Sequence, residues 1–367
     1  MGRREKVLIY QIGSLGDTVI SMPCYREIAR RHPEAERYLL TNLPIGGKMV
    51  QAEALLAPCG LIHGSVDYPM PLRGAAEIRK LLTKLRALRI DRLYYLTPET
   101  SLLRLIRHYV FFKACGIGSL HALPWSKDLR YPREVIQGKL WESEASRLLR
   151  TLNPRRTPGA PPVADRSLDL SEQERAAADR LLKEMPGAKR FLVLSVGGRI
   201  PLNNWGNENW SAVLSALSAS NPDLGMVFIG SADERERNDA LAQAWSGPKL
   251  NSCGRLTPRE TAALIERAEV YLGHDTGTLH LAAAVNTRIV GVYSARNPPG
   301  KWYSDRPEDQ FLYHKPPCFY CELEKPADCK NGLVCMTSHT HSEVAEAARR
   351  ALSTKPRKGS DRRAAWL

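Results

Sequence analysis

The stretch from Asn153 to Pro162 reads NPRRTPGAPP, and neither a helix interior nor a central strand accepts it. Each proline lacks an amide donor and fixes its own φ, so four in ten residues interrupt any regular element. The chain is expected to divide here. Its length agrees, because 367 residues exceed one ordinary core and suit two domains of about 150 to 200 residues.

The same alternation runs on both sides of the break. Before it, an apolar strand at Lys6 to Ile12 leads through Gly13-Ser14-Leu15-Gly16-Asp17 into a helix from Thr18 to Arg31. A strand at Tyr38 to Thr41, a helix at Ile45 to Ala57, a strand at Arg92 to Leu96 and a helix at Leu102 to Lys113 follow. After it come a helix at Ser171 to Glu184, opened by a capping-box pattern, and a strand at Phe191 to Ser195. Helix Trp210 to Ala219, strand Met226 to Gly230 and helix Asp233 to Trp245 continue the series. Leu256 to Ala268 adds a helix, and Arg288 to Tyr293 a further strand. Runs such as Val7-Leu8-Ile9 are apolar on both faces, as parallel strands covered by helices are. The pattern predicts an α/β chain of two doubly wound, Rossmann-like domains, residues 1–160 and 161–354, with a basic, disordered tail at 355–367. Their strand ends are expected to border a cleft.

Between the last two of those elements lies YLGHDTGTLHLAAA, Tyr271 to Ala284, which reads as strand, polar turn and helix start. The unpaired amides and the positive dipole end of such a helix make a seat for phosphate. Asp275 and His280 stand at its edges, and Gly277 lets a ligand approach the backbone. Asp275 and Thr276 could instead only cap the helix, and His280 could be a core histidine. Asp17 has the same two readings, a ligand group at the end of the first strand or an N-cap for a helix beginning at Thr18. Pro23 falls in the first turns of that helix, where proline is tolerated. The turn GSLGD falls short of the GxGxxG fingerprint of dinucleotide cofactors.

The net charge of +14 is uneven: residues 1 to 165 carry 26 Lys+Arg against 15 Asp+Glu. The segment from Ile78 to Arg89 places Ile78, Leu81, Leu82, Leu85 and Leu88 on one helical face and Arg79, Lys80, Lys84, Arg86 and Arg89 elsewhere. Together with Arg104 and Arg107 on the next helix, these cations suit an anionic partner such as a phosphorylated substrate or a membrane surface, unless they are only solvated faces. Nucleic acid is not expected, since no reading-helix motif or aromatic stacking platform accompanies the charge. No apolar run reaches the roughly 20 residues of a membrane span, and the N-terminal run enters a glycine turn without a cleavage site. A cytoplasmic protein, peripheral on the inner face of the membrane, is expected.

Two separated motifs in order, GSLGDTVISMP and GHDTGTLHLAAAVNTRIVGVYSARNP, resemble those of family 9 glycosyltransferases, the heptosyltransferase-like enzymes of lipopolysaccharide assembly. The resemblance runs from Lys6 to about Leu352. It implies a GT-B architecture with two Rossmann-like domains facing a central cleft and an ADP-linked heptose bound in the second. It further implies a lipid-linked core oligosaccharide bound in the first, and metal-independent, inverting transfer without a cofactor. By that match Asp17 is the base; Gly16 beside it, with Arg79 and Lys80 of the basic helix, is expected on the acceptor side. Thr276 and Gly277 offer amides to phosphate, Asp275 and His280 touch sugar or phosphate, and Glu234 after Gly230-Ser231 meets the ribose.

One departure stands out. Family members commonly carry a Lys facing the donor phosphates where Leu202-Asn203-Asn204-Trp205 places Asn203. Its loss removes a charge-assisted hydrogen bond. Arg199 is the expected substitute, so that its removal should lower turnover sharply; a different donor, or a non-catalytic binding protein, is the alternative. Cys318, Cys321, Cys329 and Cys335 have spacing that a structural zinc could use, with free thiols as the other reading.

Overall fold

Val7, Leu8 and Ile9 are fully buried, which is what an apolar run in a parallel sheet covered on both faces requires. The computed structural model describes residues 3–43, 52–72, 74–157, 166–304 and 306–353. The chain divides into two units, Met1–Asp169 and Leu170–Leu367. The division falls beyond the proline-rich stretch, of which 158–162 lie outside the described residues, as does the basic tail.

The first unit runs β1 (Lys6–Gln11), α1 (Leu15–Arg31), β2 (Glu36–Asn42), α2 (Glu53–Leu56), β3 (Gly64–Tyr68), α3 (Ala75–Leu88), β4 (Arg92–Leu96) and α4 (Leu102–Ala114). It continues with β5 (Ser119–His121), α5 (Lys127–Arg130), the hairpin β6 (Glu134–Ile136) and β7 (Leu140–Trp141), and α6 (Glu144–Leu152). Its main sheet has the order β3-β2-β1-β4-β5, every pair parallel.

The second unit runs α7 (Glu172–Leu182), β8 (Arg190–Ser195), α8 (Asn207–Ser218), β9 (Leu224–Phe228), α9 (Arg235–Ala242), β10 (Lys249–Asn251) and α10 (Pro258–Arg267). Then follow β11 (Val270–His274), α11 (Gly277–Ala284), β12 (Arg288–Tyr293), β13 (Gln310–Tyr313), α12 (Val334–Thr337) and α13 (His341–Ser353). Its order is β10-β9-β8-β11-β12-β13, again all parallel. Each sheet therefore reverses direction once, between its first and fourth strands. Open α/β sheets hold ligands at the carboxyl ends of the strands flanking that reversal. In the first unit these are β1 and β4, in the second β8 and β11.

Some expected elements shift. The first helix begins at Leu15 rather than Thr18, which puts Pro23 in the helix interior and removes one of its hydrogen bonds. Of the expected helix at Ile45 to Ala57, only Glu53–Leu56 lies in a helix among the described residues. The β9 strand starts two residues earlier than its apolar run suggests.

Candidate functional site: strand-end turns at two sheet reversals

In the first unit Gln11 pairs with Leu96, so the turns after β1 and β4 leave the sheet side by side. Ser14 caps α1, and Asp17 occupies the third helical position instead of the cap itself. The Ser14 amide and hydroxyl both donate to Asp17 Oδ2, at 2.6 and 2.9 Å. This fixes the half-buried carboxylate over the turn. Gly13 makes the arrangement possible: its φ is +146°, and a Cβ there would stand 2.4 Å from Asp17 Cβ. Gly16 is buried in the first turn of the helix.

Asp17 shares a small crevice with Gln11, Ser21, Leu96 and Glu144. A second carboxylate beside a base would repel it, but Glu144 is neutralised by Arg147, which donates to both its oxygens at 2.7 and 2.6 Å. Arg147 also donates to the Thr97 carbonyl at the end of β4, and Arg150 makes a matching bidentate pair with Glu142. All four side chains are buried. Such a network is costly to desolvate but holds one geometry. The sequence reading missed it, although WESEASRLLR carries the i,i+3 spacing from Glu144 to Arg147. Arg79 and Lys80 lie exposed in the first turns of α3.

In the second unit Ser195 pairs with Gly273 across β8 and β11. Beyond that pair the two turns are joined by hydroxyls: Thr278 donates to Ser195 at 2.9 Å, and the Tyr271 and Thr276 hydroxyls lie 2.8 and 3.0 Å from Thr278 Oγ1. Thr276 is the N-cap of α11, followed by Gly277 and Thr278. Asp275 is thus left off the cap, its oxygen 3.6 Å from Nε2 of buried His280. Glycines allow the close packing. A Cβ at Gly198 would come within 2.9 Å of Thr276, and one at Gly273 within 2.5 Å of the Ser195 carbonyl.

Glu234 follows β9, the second strand of its sheet, where a Rossmann unit places its ribose carboxylate. The Ser231 amide and hydroxyl donate to its Oε2 at 2.8 and 2.9 Å, repeating the Ser14–Asp17 pattern. Its other oxygen stands where a Cβ on Gly197 would be, 1.4 Å away, so Glu234 reaches the turn after β8.

Asn203 stands where the family's phosphate-facing lysine was expected. It is buried, donates to the Asp275 carbonyl at 3.1 Å and accepts from Ser294 at 2.6 Å. The amide therefore staples three loops. His274 reinforces the same place: its Nε2 accepts from the Trp205 amide and the Trp210 indole, and burial pushes its pKa down to about 3. Arg199 is 55% exposed on its side chain, with Glu324 at 4.0 Å. Buried Lys301 was not foreseen. Its ammonium lies 5.4 Å from the Trp302 ring centre and 5.9 Å from that of Tyr320, and the Trp302 ring is 6.2 Å from His280. The basic and aromatic residues of NPPGKWY carry that signal in hindsight.

None of the four cysteines of the 318–335 segment forms a disulfide. Cys335 is buried, and burial raises its pKa, with repulsion from Cys321, Cys329 and Cys318 adding to the shift.

Residues 156–308 match the model of glycosyltransferase family 9 (heptosyltransferase). Lipopolysaccharide heptosyltransferase 2 of Escherichia coli K12 is 24% identical over 318 residues, covering 80% of this chain and 84% of that relative. Lipopolysaccharide heptosyltransferase 3 of Escherichia coli is 28% identical over 124 residues, covering 33% of this chain and 36% of the relative's own length. Among solved structures, the E. coli heptosyltransferase WaaC with ADP-2-deoxy-2-fluoro heptose superposes with a TM-score of 0.60 at 15% identity, over 94% of this chain and 99% of that one. That likeness bears on the fold, which is GT-B with two Rossmann-like units. The family match spans the turns after β8 and β11, and the alignment to heptosyltransferase 2 extends the likeness over most of the chain; the protein is a glycosyltransferase similar to the heptosyltransferases, and its residues 156–308 match family 9.

Proposed function

We propose that this enzyme moves a heptose from ADP-heptose to a lipopolysaccharide core or related lipid-linked acceptor, by inverting transfer that needs no metal. The observation that carries this reading is the turn from Asp275 to His280 beside Glu234. Helix-start amides for a diphosphate and a carboxylate at the ribose position together form a nucleoside-diphosphate seat. In the reaction the acceptor hydroxyl attacks the anomeric carbon as its bond to the diphosphate oxygen breaks. Asp17 takes the hydroxyl proton, and ADP leaves with the electron pair. The α11 amides, with Lys301 as the buried cation of that edge, offset the charge that develops on the diphosphate.

The first unit suits the acceptor. On α4, Leu103 is 79% and Val110 59% exposed, with Leu102 and Ile106 also uncovered and Arg104, Arg107 and Lys113 interleaved. An apolar stripe among cations matches the interface of an anionic bilayer. No helix among the described residues is long and apolar enough to cross a membrane.

Asn203 favours a second reading, an altered donor or a non-catalytic binding protein, because a neutral staple replaces the expected cation. A thermal-shift panel of ADP-, UDP-, GDP- and dTDP-sugars, followed by a transfer assay with the stabilising sugar, separates them. The first reading requires ADP-heptose to stabilise most and to be turned over. Stabilisation by another nucleotide, or binding without transfer, replaces it with the second.

A further inference from the structure

We propose that His314, His339 and Glu343 hold a structural divalent transition-metal ion, of the zinc or cobalt class, behind the donor loops of the second unit. His314 directly follows β13, His339 precedes α13, and Glu343 lies in the first turn of α13. One ligand atom from each falls within 4.8 Å of the others. His314 Nε2 and His339 Nδ1 stand 2.9 and 3.0 Å from the same oxygen, Glu343 Oε1.

The hydrogen bonding of His339 makes the cluster informative. Its Nε2 lies 3.1 Å from the Tyr293 carbonyl, which can only accept, so the ring proton is on Nε2. In the neutral ring Nδ1 is then a bare lone pair, aimed at a carboxylate oxygen that is itself an acceptor. The two repel unless positive charge lies between them. The His339 side chain is fully buried, so no solvent lies between the two acceptors. A cation resolves the conflict and uses both lone pairs. The bond from Nε2–H to a backbone carbonyl is also how ligating histidines fix their tautomer. Two imidazoles and a carboxylate suit zinc or cobalt, whose bonds of about 2.0 to 2.1 Å set tetrahedral ligand atoms about 3.3 Å apart. Both nitrogens already stand within a few tenths of an ångström of that separation from the Glu343 oxygen. His314 is 43% exposed, leaving room for water as a fourth ligand.

The placement gives the ion a purpose. The His339 carbonyl accepts from the Trp205 indole, and Trp205 leads back two residues to Asn203, which holds the Asp275 carbonyl. Fixing His339 therefore braces the donor turn from behind. The ion takes no part in transfer.

The test uses the full chain stripped with chelator and titrated with Co2+ or Zn2+. We expect one equivalent whose cobalt spectrum shows visible bands of nitrogen and oxygen ligation without thiolate charge transfer, and a raised melting temperature. His314→Ala and Glu343→Gln should each weaken that binding at least tenfold, while the double variant Cys318→Ser, Cys321→Ser keeps it. Because His314 is half exposed, His314→Ala should melt with the metal-free wild type, which separates lost binding from lost fold. Absence of metal-dependent stabilisation in the wild type would overturn the proposal. Binding that survives His314→Ala, or that vanishes only with the cysteines, would overturn it as well.

Discussion

The two sheet reversals share a strand order and differ in what they present. In the first unit the turn after β1 offers one oriented carboxylate, Asp17, and the nearby Glu144 is cancelled by Arg147. In the second unit the turns after β8 and β11 offer amides and linked hydroxyls, with Asp275 and His280 at the margin. A carboxylate whose neighbour is neutralised can accept a proton without a second negative charge opposing substrate. A nest of N–H and O–H donors can hold an anion instead. The same Ser-x-x-acid box appears at Ser14–Asp17 and Ser231–Glu234, so local structure alone does not assign the chemistry. The strand that precedes the box distinguishes them: the first strand of the first unit's sheet in one case, the second strand of the second unit's sheet in the other.

The largest effect should come from Asp17→Asn. Asparagine keeps an acceptor for the Ser14 amide, so the fold and ADP affinity should persist while single-turnover transfer falls by about 10²- to 10⁴-fold. Transfer within a factor of a few of wild type would remove Asp17 as the base and collapse the contrast between the units. A pair of glycine variants sharpens it further. Gly13→Ala pushes a methyl against Asp17, so turnover should drop by roughly tenfold or more with donor affinity kept. Gly197→Ala displaces Glu234 and should weaken ADP binding by about tenfold, the worth of one lost charged hydrogen bond. Isothermal titration with ADP beside transfer kinetics reads both. If the two variants behave alike, the division of labour is wrong.

How much of this was legible in the sequence depends on distance along the chain. The strand, glycine turn and helix around Gly13 were readable because they stand next to one another, although the helix takes in Leu15 to Asp17, which the sequence assigned to the turn. The Asp275-to-His280 turn was readable for the same reason. Asn203 was not: its partners are 72 and 91 residues away, and only the fold brings the Asp275 carbonyl and Ser294 to it. Lys301 was missed because a lysine is by default a surface residue, and burial over two rings is a tertiary fact. The edge strands β5 and β10 have three residues each, too few for a periodicity signal. In the basic helices the period itself was partly misleading. Leu81 and Leu85 are buried as expected, but Ile78 is exposed, and α4 turns Leu103, Ile106 and Val110 outward.

That outward face separates the units in a second way and yields a smaller effect. Leu103→Asp with Val110→Asp should lower binding to anionic vesicles by about tenfold or more, since each apolar side chain is worth roughly 1.5 to 3 kcal/mol when buried. Stability should change little, because neither residue is packed in the protein. Cosedimentation at two salt concentrations checks it. Binding that the double variant retains at full strength would leave the basic residues alone as the attraction.

Arg199→Ala should have the smallest effect. The sequence alone assigned it the role of the cation absent at Asn203, but its side chain is largely exposed and lies at the edge of contact with Glu324. Exposed charges are screened by water, and a pair at such distance contributes about 1 kcal/mol or less. A rise of about two- to fivefold in the donor KM, with kcat nearly unchanged, is therefore expected. A loss of kcat instead would mean that Arg199 swings onto the diphosphate as it departs. Lys301→Met separates the alternatives. If buried Lys301 supplies the charge, its removal should depress kcat more than the loss of Arg199 does, and a reversed order would return Arg199 to the place that Asn203 left.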